Sequence, residues 1–327
     1  MKTVVITGGT DGMGAALARH HLRQGDEVTI VGRNRAKFDA LVAALTTEGV
    51  PSIAARAHFV GADLSLVADS ERVVAQLKDR YERIDALVLA ASFIRQKRHV
   101  TAEGREASWV LFFVSKYLLV TGLADRLAAA ARPVILNTSV PGTKTSAIDF
   151  DDLELAATFS FARSNAQQRR ANELLGILAT RNSTVSYITW GPRRLVKTSF
   201  AGEVGPLMRY ASTLLAPLVG QEPDEAIQPL IALIADPPGG RTAYRGAKRV
   251  PLNEGPDDNH DINRLASLLS DSAATYSRLH VEARREDPDV CDRRGGRAVR
   301  DPDIDVAVVG EVRPVDAERP GVGPAEV

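Results

Sequence analysis

Thr7-Gly8-Gly9-Thr10-Asp11-Gly12-Met13-Gly14 is the stretch whose residue types and spacing point most directly to chemistry. An apolar run, Lys2–Thr7, leads straight into the glycines, and an alanine-rich stretch follows them. A strand, a glycine turn and a helix in that order aim backbone N–H groups and the positive end of a helix dipole at one point. That arrangement suits a bound pyrophosphate. Gly8, Thr10, Asp11, Gly12, Met13 and Gly14 are the expected contacts. The glycine pattern alone is weak; the flanking strand and helix make it specific for a dinucleotide.

The end of the second apolar run bears on which dinucleotide binds. It reads Val31-Gly32-Arg33-Asn34-Arg35, with Lys37 beyond and no carboxylate. An acid there would bind a ribose 2′-hydroxyl and repel a 2′-phosphate, whereas a guanidinium pairs with phosphate in a bidentate way. The expectation is NADPH (NADP+), with Arg33 and Asn34 at the phosphate.

Alternating elements must position these groups. Strands are expected at Val28–Val31, Ala57–Gly61, Ala86–Ala90, Val134–Thr138 and Val185–Trp190. Helices are expected near Gly14–Gln24, Arg35–Thr47, Val67–Tyr81, Gly104–Ala131 and Asn165–Arg181. Gly25 and Gly49 stand where helices end. Short apolar strands between amphipathic helices imply an α/β, Rossmann-type, doubly wound and mostly parallel sheet in a single domain, over about residues 1–282. Thr198–Gly220 reads equally as a substrate lid or as a helix packed on the sheet. Glu222–Asp236, Arg241–Arg245 and His260–Leu279 read as helix, strand and helix. Residues 283–327 turn to Arg, Asp, Pro and Gly and read as a disordered tail, with Val306–Val309 as an optional edge strand.

Composition narrows the partners. Lys+Arg and Asp+Glu balance at 41 each, which gives no support to nucleic-acid binding. Cys291 is the single cysteine, and adjacent His20 and His21 point apart on a helix, so neither a disulfide nor a metal site is expected. No run is long enough to span a bilayer, and the first apolar run is a strand rather than a leader. The expected location is cytoplasmic, with a small-molecule substrate and no membrane partner.

With these residues in place, the chain resembles the short-chain dehydrogenase/reductase family, in particular its retinol-dehydrogenase-like, ketone-reducing branch, from Met1 to about Leu279. Thr7–Gly14 matches TGxxxGxG. Ala62-Asp63-Leu64-Ser65 matches the motif whose acid contacts the adenine, which adds Asp63 and Leu64 to the cofactor site. The usual NNAG reads Leu89-Ala90-Ala91-Ser92, and Pro192 and Thr198 fall where the family grips the nicotinamide end. The resemblance also implies a homo-oligomer paired through the helices starting near Gly104 and Asn165. The aromatic stretch Trp109–Tyr117 serves equally well as core.

The resemblance breaks at the catalytic residues. The family uses an Asn, a Ser and a YxxxK pair. Those slots fall at Phe112, Val140, Asn165 and Arg169, with Ser139 one residue from the serine slot. No tyrosine lies between Tyr117 and Tyr187, so the standard acid is absent. Arg169 can keep a positive charge near the cofactor ribose but cannot act as the acid, since its pKa exceeds about 12. Ser92, Ser139 and Asn165 remain as helpers able to hydrogen-bond a carbonyl. Arg95, Lys97 and Arg98 read as a solvated loop, or else as support for a phenolate; His99 reads as a solvent-facing loop histidine, or else as an acid. Losing a positioned acid costs about 10²–10⁴-fold, which a substrate carrying its own acidic hydroxyl can recover. The expectation is therefore an atypical ketoreductase acting on a bulky, aromatic polyketide-like ketone, similar to divergent reductases of antibiotic pathways such as the angucyclinone ketoreductases. A non-catalytic cofactor sensor and a non-redox cyclase or isomerase are the alternatives.

Overall fold

A computed structural model describes residues 1–194, 196, 202, 203 and 221–270. Met1–Leu269 is one compact unit, and Ser270–Val327 is a second unit of which only Ser270 is described. The expected lid (198–220, including Thr198) lies outside the described residues apart from Gly202–Glu203. The expected tail and Val306–Val309 lie outside them entirely.

Eight strands form the main sheet, in the order β10-β9-β7-β6-β4-β1-β2-β3. They are β1 (Thr3–Thr7), β2 (Glu27–Gly32), β3 (Ala57–Gly61), β4 (Ala86–Leu89), β6 (Val134–Asn137), β7 (Ser186–Gly191), β9 (Arg241–Arg245) and β10 (Lys248–Val250). Every neighbouring pair is parallel except β9–β10. This is the Rossmann-type fold that the alternating pattern implies. Connections leave β1 toward β2 and β3, and leave β4 toward β6, β7 and β9. The crevice of a doubly wound sheet therefore opens at the carboxyl ends of β1 and β4.

Alternation along each strand fills both faces. Val5, Leu87 and Leu89 join Trp109, Phe113, Leu174 and Leu77 in one core; Val4, Ile6 and Val88 join Leu17, Leu22, Leu45 and Leu230 in the other. Each such side chain contributes roughly 1.5–3 kcal/mol on burial. Helices α1 (Gly12–Arg23) and α2 (Arg35–Thr47) cover one face; α4 (Val67–Arg80), α6 (Ser115–Gly122) and α8 (Phe161–Thr180) cover the other. Gly25 and Gly49 take φ of 85° and 80°, as left-handed helix ends require.

Several boundaries differ from the expected ones. The stretch read as one helix over Gly104–Ala131 begins at α5 (Ala107–Trp109), capped by Glu106, and passes through a π-helical turn at Val110–Val114. It then breaks at Leu123 between α6 and α7 (Ala124–Ala128). Helix α8 starts four residues earlier than Asn165 because the Ser160 hydroxyl accepts the Arg163 N–H at 3.2 Å. Glu222–Asp236 divides into α9 (Pro223–Ala226) and α10 (Gln228–Ala235). Three elements were not anticipated: α3 (Ile53–Arg56), the β10 hairpin strand, and a two-stranded parallel pair of β5 (Ile94–Arg95) with β8 (Gly202–Glu203). Residues 258–269 are helical. No described helix is long and apolar enough to cross a membrane.

Candidate active site

The glycine turn is built by backbone packing. Gly8 has φ +69°, and a Cβ there would lie 2.7 Å from Ala91 Cα; one at Gly14 would run into the Gly8 carbonyl. Beneath the turn, the Thr7 hydroxyl accepts the Ala90 and Ala91 N–H groups at 3.1 and 3.2 Å, which locks the end of β4 to the end of β1. Asp11 caps α1, accepting the Gly12 N–H at 2.7 Å. A carboxylate at this point opposes an incoming phosphate, and Lys37 offsets it with an ion pair of 2.6 Å. Thr10 and Met13 line the turn, half-buried.

At the end of β2, Arg33 and Asn34 are exposed, and Asn34 caps α2 by accepting the Lys37 N–H at 2.9 Å. The Arg33 guanidinium stacks on the Phe93 ring at 4.8 Å, and Arg95 stacks on that ring at 4.6 Å. Arg95 is 8% exposed, which corrects the reading of a solvated loop: the β5–β8 pairing and Phe93 fold it in. Lys97 and His99 are exposed, and Arg98 donates to the Glu154 carbonyl at 3.2 Å. Asp63 is half-buried and held by the Ser65 N–H and hydroxyl at 2.9 and 2.7 Å. The Leu64 side chain packs in the core.

The four positions that the resemblance assigns to catalysis hold Phe112, Val140, Asn165 and Arg169. Phe112 sits in the π-helical turn, and its carbonyl accepts from Asn172 Nδ2 at 2.7 Å. Val140 packs on the end of β7, where a Cβ on Gly191 would come within 3.0 Å of its Cγ2. Asn165 and Ser92 are exposed, while Ser139 is 8% exposed. Arg169 donates Nε to the Val140 carbonyl at 2.7 Å and Nη2 to the Pro141 carbonyl at 3.2 Å. One edge of its guanidinium is thus committed to the loop after β6. Pro192 is half-buried just beyond β7.

Sequence reasoning missed a buried polar chain under these slots. Lys116 donates to Asn137 Oδ1 at 2.8 Å; Asn137 Nδ2 donates to Asn172 Oδ1 at 2.6 Å and to the Tyr187 hydroxyl at 2.7 Å. Tyr187 returns its proton to the Asn172 carbonyl at 2.8 Å. Burial pushes the Lys116 ammonium down to about 7, because leaving water penalises its charged form. Tyr187 is pushed upward by the same cause. The available signal was a lysine in helical register with Trp109, Phe113 and Val120, on an otherwise apolar stripe.

A second buried cluster pins the loop after β6. Arg170, 1% exposed, pairs with Asp258 and with Glu173 Oε2 at 3.2 Å, and donates to the Asn253 carbonyl at 2.8 Å. Glu173 Oε1 accepts the Gly142 N–H at 2.6 Å, and Asn253 donates to the Thr143 carbonyl. Substrate-side backbone is thus fixed by residues from α8 and from the segment after β10.

Residues 2–148 match the family model described as short chain dehydrogenase. Human retinol dehydrogenase 13 is 26% identical over 302 residues, with 88% of each chain covered. A protein described as daunorubicin C-13 ketoreductase DnrU, from Streptomyces sp. (strain C5), is 32% identical over 192 residues. That match covers 57% of this chain and 64% of the relative. Among solved structures, a short-chain dehydrogenase from Sphingobium yanoikuyae in complex with NADPH superposes with a TM-score of 0.54 at 23% identity. It covers 83% of this chain and 96% of that one, and shows the fold alone.

Proposed function

We propose, proceeding from the match of residues 2–148 to the short chain dehydrogenase family, that the protein is an NADPH-dependent ketoreductase of atypical mechanism acting on a bulky, aromatic polyketide-like ketone. The observation that carries this reading is the pairing of a complete glycine turn with catalytic slots that contain no proton donor. The turn fits a dinucleotide pyrophosphate, since side chains at Gly8 and Gly14 would collide with neighbouring backbone. NADPH is favoured by Arg33, with Lys37 and Arg35 beside it and no acid at the end of β2. Arg33 lies over the Phe93 ring, and a guanidinium on an aromatic face can still offer its N–H fork to a 2′-phosphate.

Bound NADPH supplies a hydride. This chain supplies orientation, because β1 and β4 are fixed to one another through Thr7, and the loop after β6 is held by Arg169 and Glu173. The proton comes from the substrate's own hydroxyl or from water, with Ser139, Ser92 and Asn165 available as hydrogen-bonding helpers. A relative described as a daunorubicin ketoreductase supports a role in antibiotic or secondary-metabolite tailoring.

The test is NADPH oxidation followed by absorbance, with peri-hydroxy aromatic ketones run beside ketones lacking a hydroxyl. Turnover confined to the hydroxylated ketones is the expected outcome. Tight NADPH binding without turnover of any ketone would replace this reading by the cofactor sensor. Product formed without hydride transfer from labelled NADPH would replace it by the cyclase or isomerase.

A further inference from the structure

Two guanidiniums converge on one backbone oxygen at the substrate side of the crevice. Arg169, half-buried on α8, donates Nη2 to the Pro141 carbonyl at 3.2 Å; Arg245, exposed at the end of β9, donates Nη2 to the same carbonyl at 3.4 Å. Among the described residues neither arginine forms an ion pair. The carboxylates nearby are committed elsewhere: Glu173 to the Gly142 N–H, Arg170 and Asn253, Asp258 to Arg170, and Glu254 to Arg241. Exposed Arg193, in the turn after β7, adds a third cation; a Cβ on Gly246, the neighbour of Arg245, would lie 2.8 Å from its Cγ.

A single neutral carbonyl cannot compensate two like charges, one of them partly removed from water. Burial first, and Arg245 second, pull the Arg169 pKa below its ordinary value, while Glu173 opposes them. A ligand oxyanion relieves that repulsion, and the guanidinium fork is shaped to receive one. Cofactor phosphates have their own groups at β1 and β2, on the far side of β4 from the ends of β6, β7 and β9. Val140 and Arg169, by contrast, occupy the serine and lysine slots of the family.

We propose that Arg169 and Arg245 form an anion-binding subsite that takes an ionised oxygen group of the substrate, a carboxylate or a phenolate carried by the ketone. Only the word substrate rests on the ketoreductase reading; the subsite stands on the two arginines. Charge-assisted hydrogen bonds are stronger than neutral ones, so the anion is expected to bind about tenfold or more tighter than its neutral analogue.

Calorimetry on the full chain saturated with NADP+ tests this with two probe pairs. Anthraquinone-2-carboxylate is compared with its methyl ester, and 2-hydroxyanthraquinone with its methyl ether above the phenol's own pKa. At least one anion is expected to show the preference, and which one does identifies the group. Arg245→Gln should collapse the preference to about twofold while leaving the neutral probe's affinity unchanged, Arg169→Gln should collapse it as well, and Arg245→Lys should restore much of it. Arg169 keeps its own hydrogen bonds to the Val140 and Pro141 carbonyls in the Arg245 variants, so the loop retains a partner there. Equal affinity within both pairs, a preference that survives both substitutions, displacement of the anion by NADP+, or no binding of any probe would each overturn the subsite. Anion preference without NADPH oxidation would leave it standing and defeat the ketoreductase reading instead.

Discussion

The two halves of the crevice are built from different materials. At the ends of β1, β2 and β4 the working parts are backbone: a glycine turn that tolerates no Cβ, two N–H groups held by Thr7, and a helix start. At the ends of β6, β7 and β9 the chain presents side chains instead: Val140 packed on Gly191, and Arg169 and Arg245 on the Pro141 carbonyl. A site made of backbone is constrained by sterics at every residue, so it persists when a few side chains change. A site made of side chains can be rebuilt without disturbing the fold beneath it.

Breaking the backbone half should have the largest effect. Gly8→Val puts a β-branched residue at φ +69° and drives its Cβ toward Ala91. Strain of about 1–3 kcal/mol and a similar overpacking penalty should abolish measurable NADPH binding and lower the thermal midpoint by several degrees. Equilibrium binding and thermal unfolding check both. Wild-type affinity would mean that the turn does not hold the cofactor.

A smaller change sharpens the cofactor choice. Arg33→Glu should weaken NADPH by about tenfold or more relative to NADH, because repulsion replaces a charge-assisted pair. An unchanged ratio of the two affinities would discard Arg33 as the selecting residue.

The side-chain half carries its own signature in Lys116. Its folded pKa, about 7, lies below its ordinary 10.5. Between those values the unfolded chain holds a proton that the folded chain lacks, so stability rises with pH across that window and is flat below it. Lys116→Met removes the group, so the wild type should gain on the variant as pH climbs from about 7 toward 10. Thermal midpoints of the two proteins over that range decide the matter; a constant gap would show that Lys116 stays charged.

Phe93→Leu should have the mildest effect. Loss of an exposed cation–π contact, about 0.5–1 kcal/mol, should loosen Arg33 and reduce NADPH affinity by two- to fivefold with NADH unaffected. An equal loss for both cofactors would assign Phe93 to general packing.

The same division explains what the sequence disclosed. Strand positions were legible because Val4, Ile6, Leu87 and their neighbours are apolar on both faces, and Gly8 and Gly14 declare a backbone turn by type alone. The start of α8 carried a readable cap in Ser160, hidden because family matching drew attention to Asn165. The break at Leu123 follows Gly122, the last residue of α6, where a Cβ would come within 2.6 Å of Val74. Strands β5 and β8 are two residues each, and their pairing depends on distant parts of the chain. Arg95 and Lys116 were misread or missed for one reason. A charged residue declares solvent exposure on average, and only three-dimensional neighbours such as Phe93 and Asn137 reveal the exceptions.

The Arg170 cluster has a practical consequence for anyone who alters this protein. Asn253 and Asp258 act as a keystone that comes late in the chain yet fixes the loop after β6, more than a hundred positions earlier. Insertions or deletions between β10 and residue 258 are therefore expected to loosen that loop even though they lie far from it in sequence.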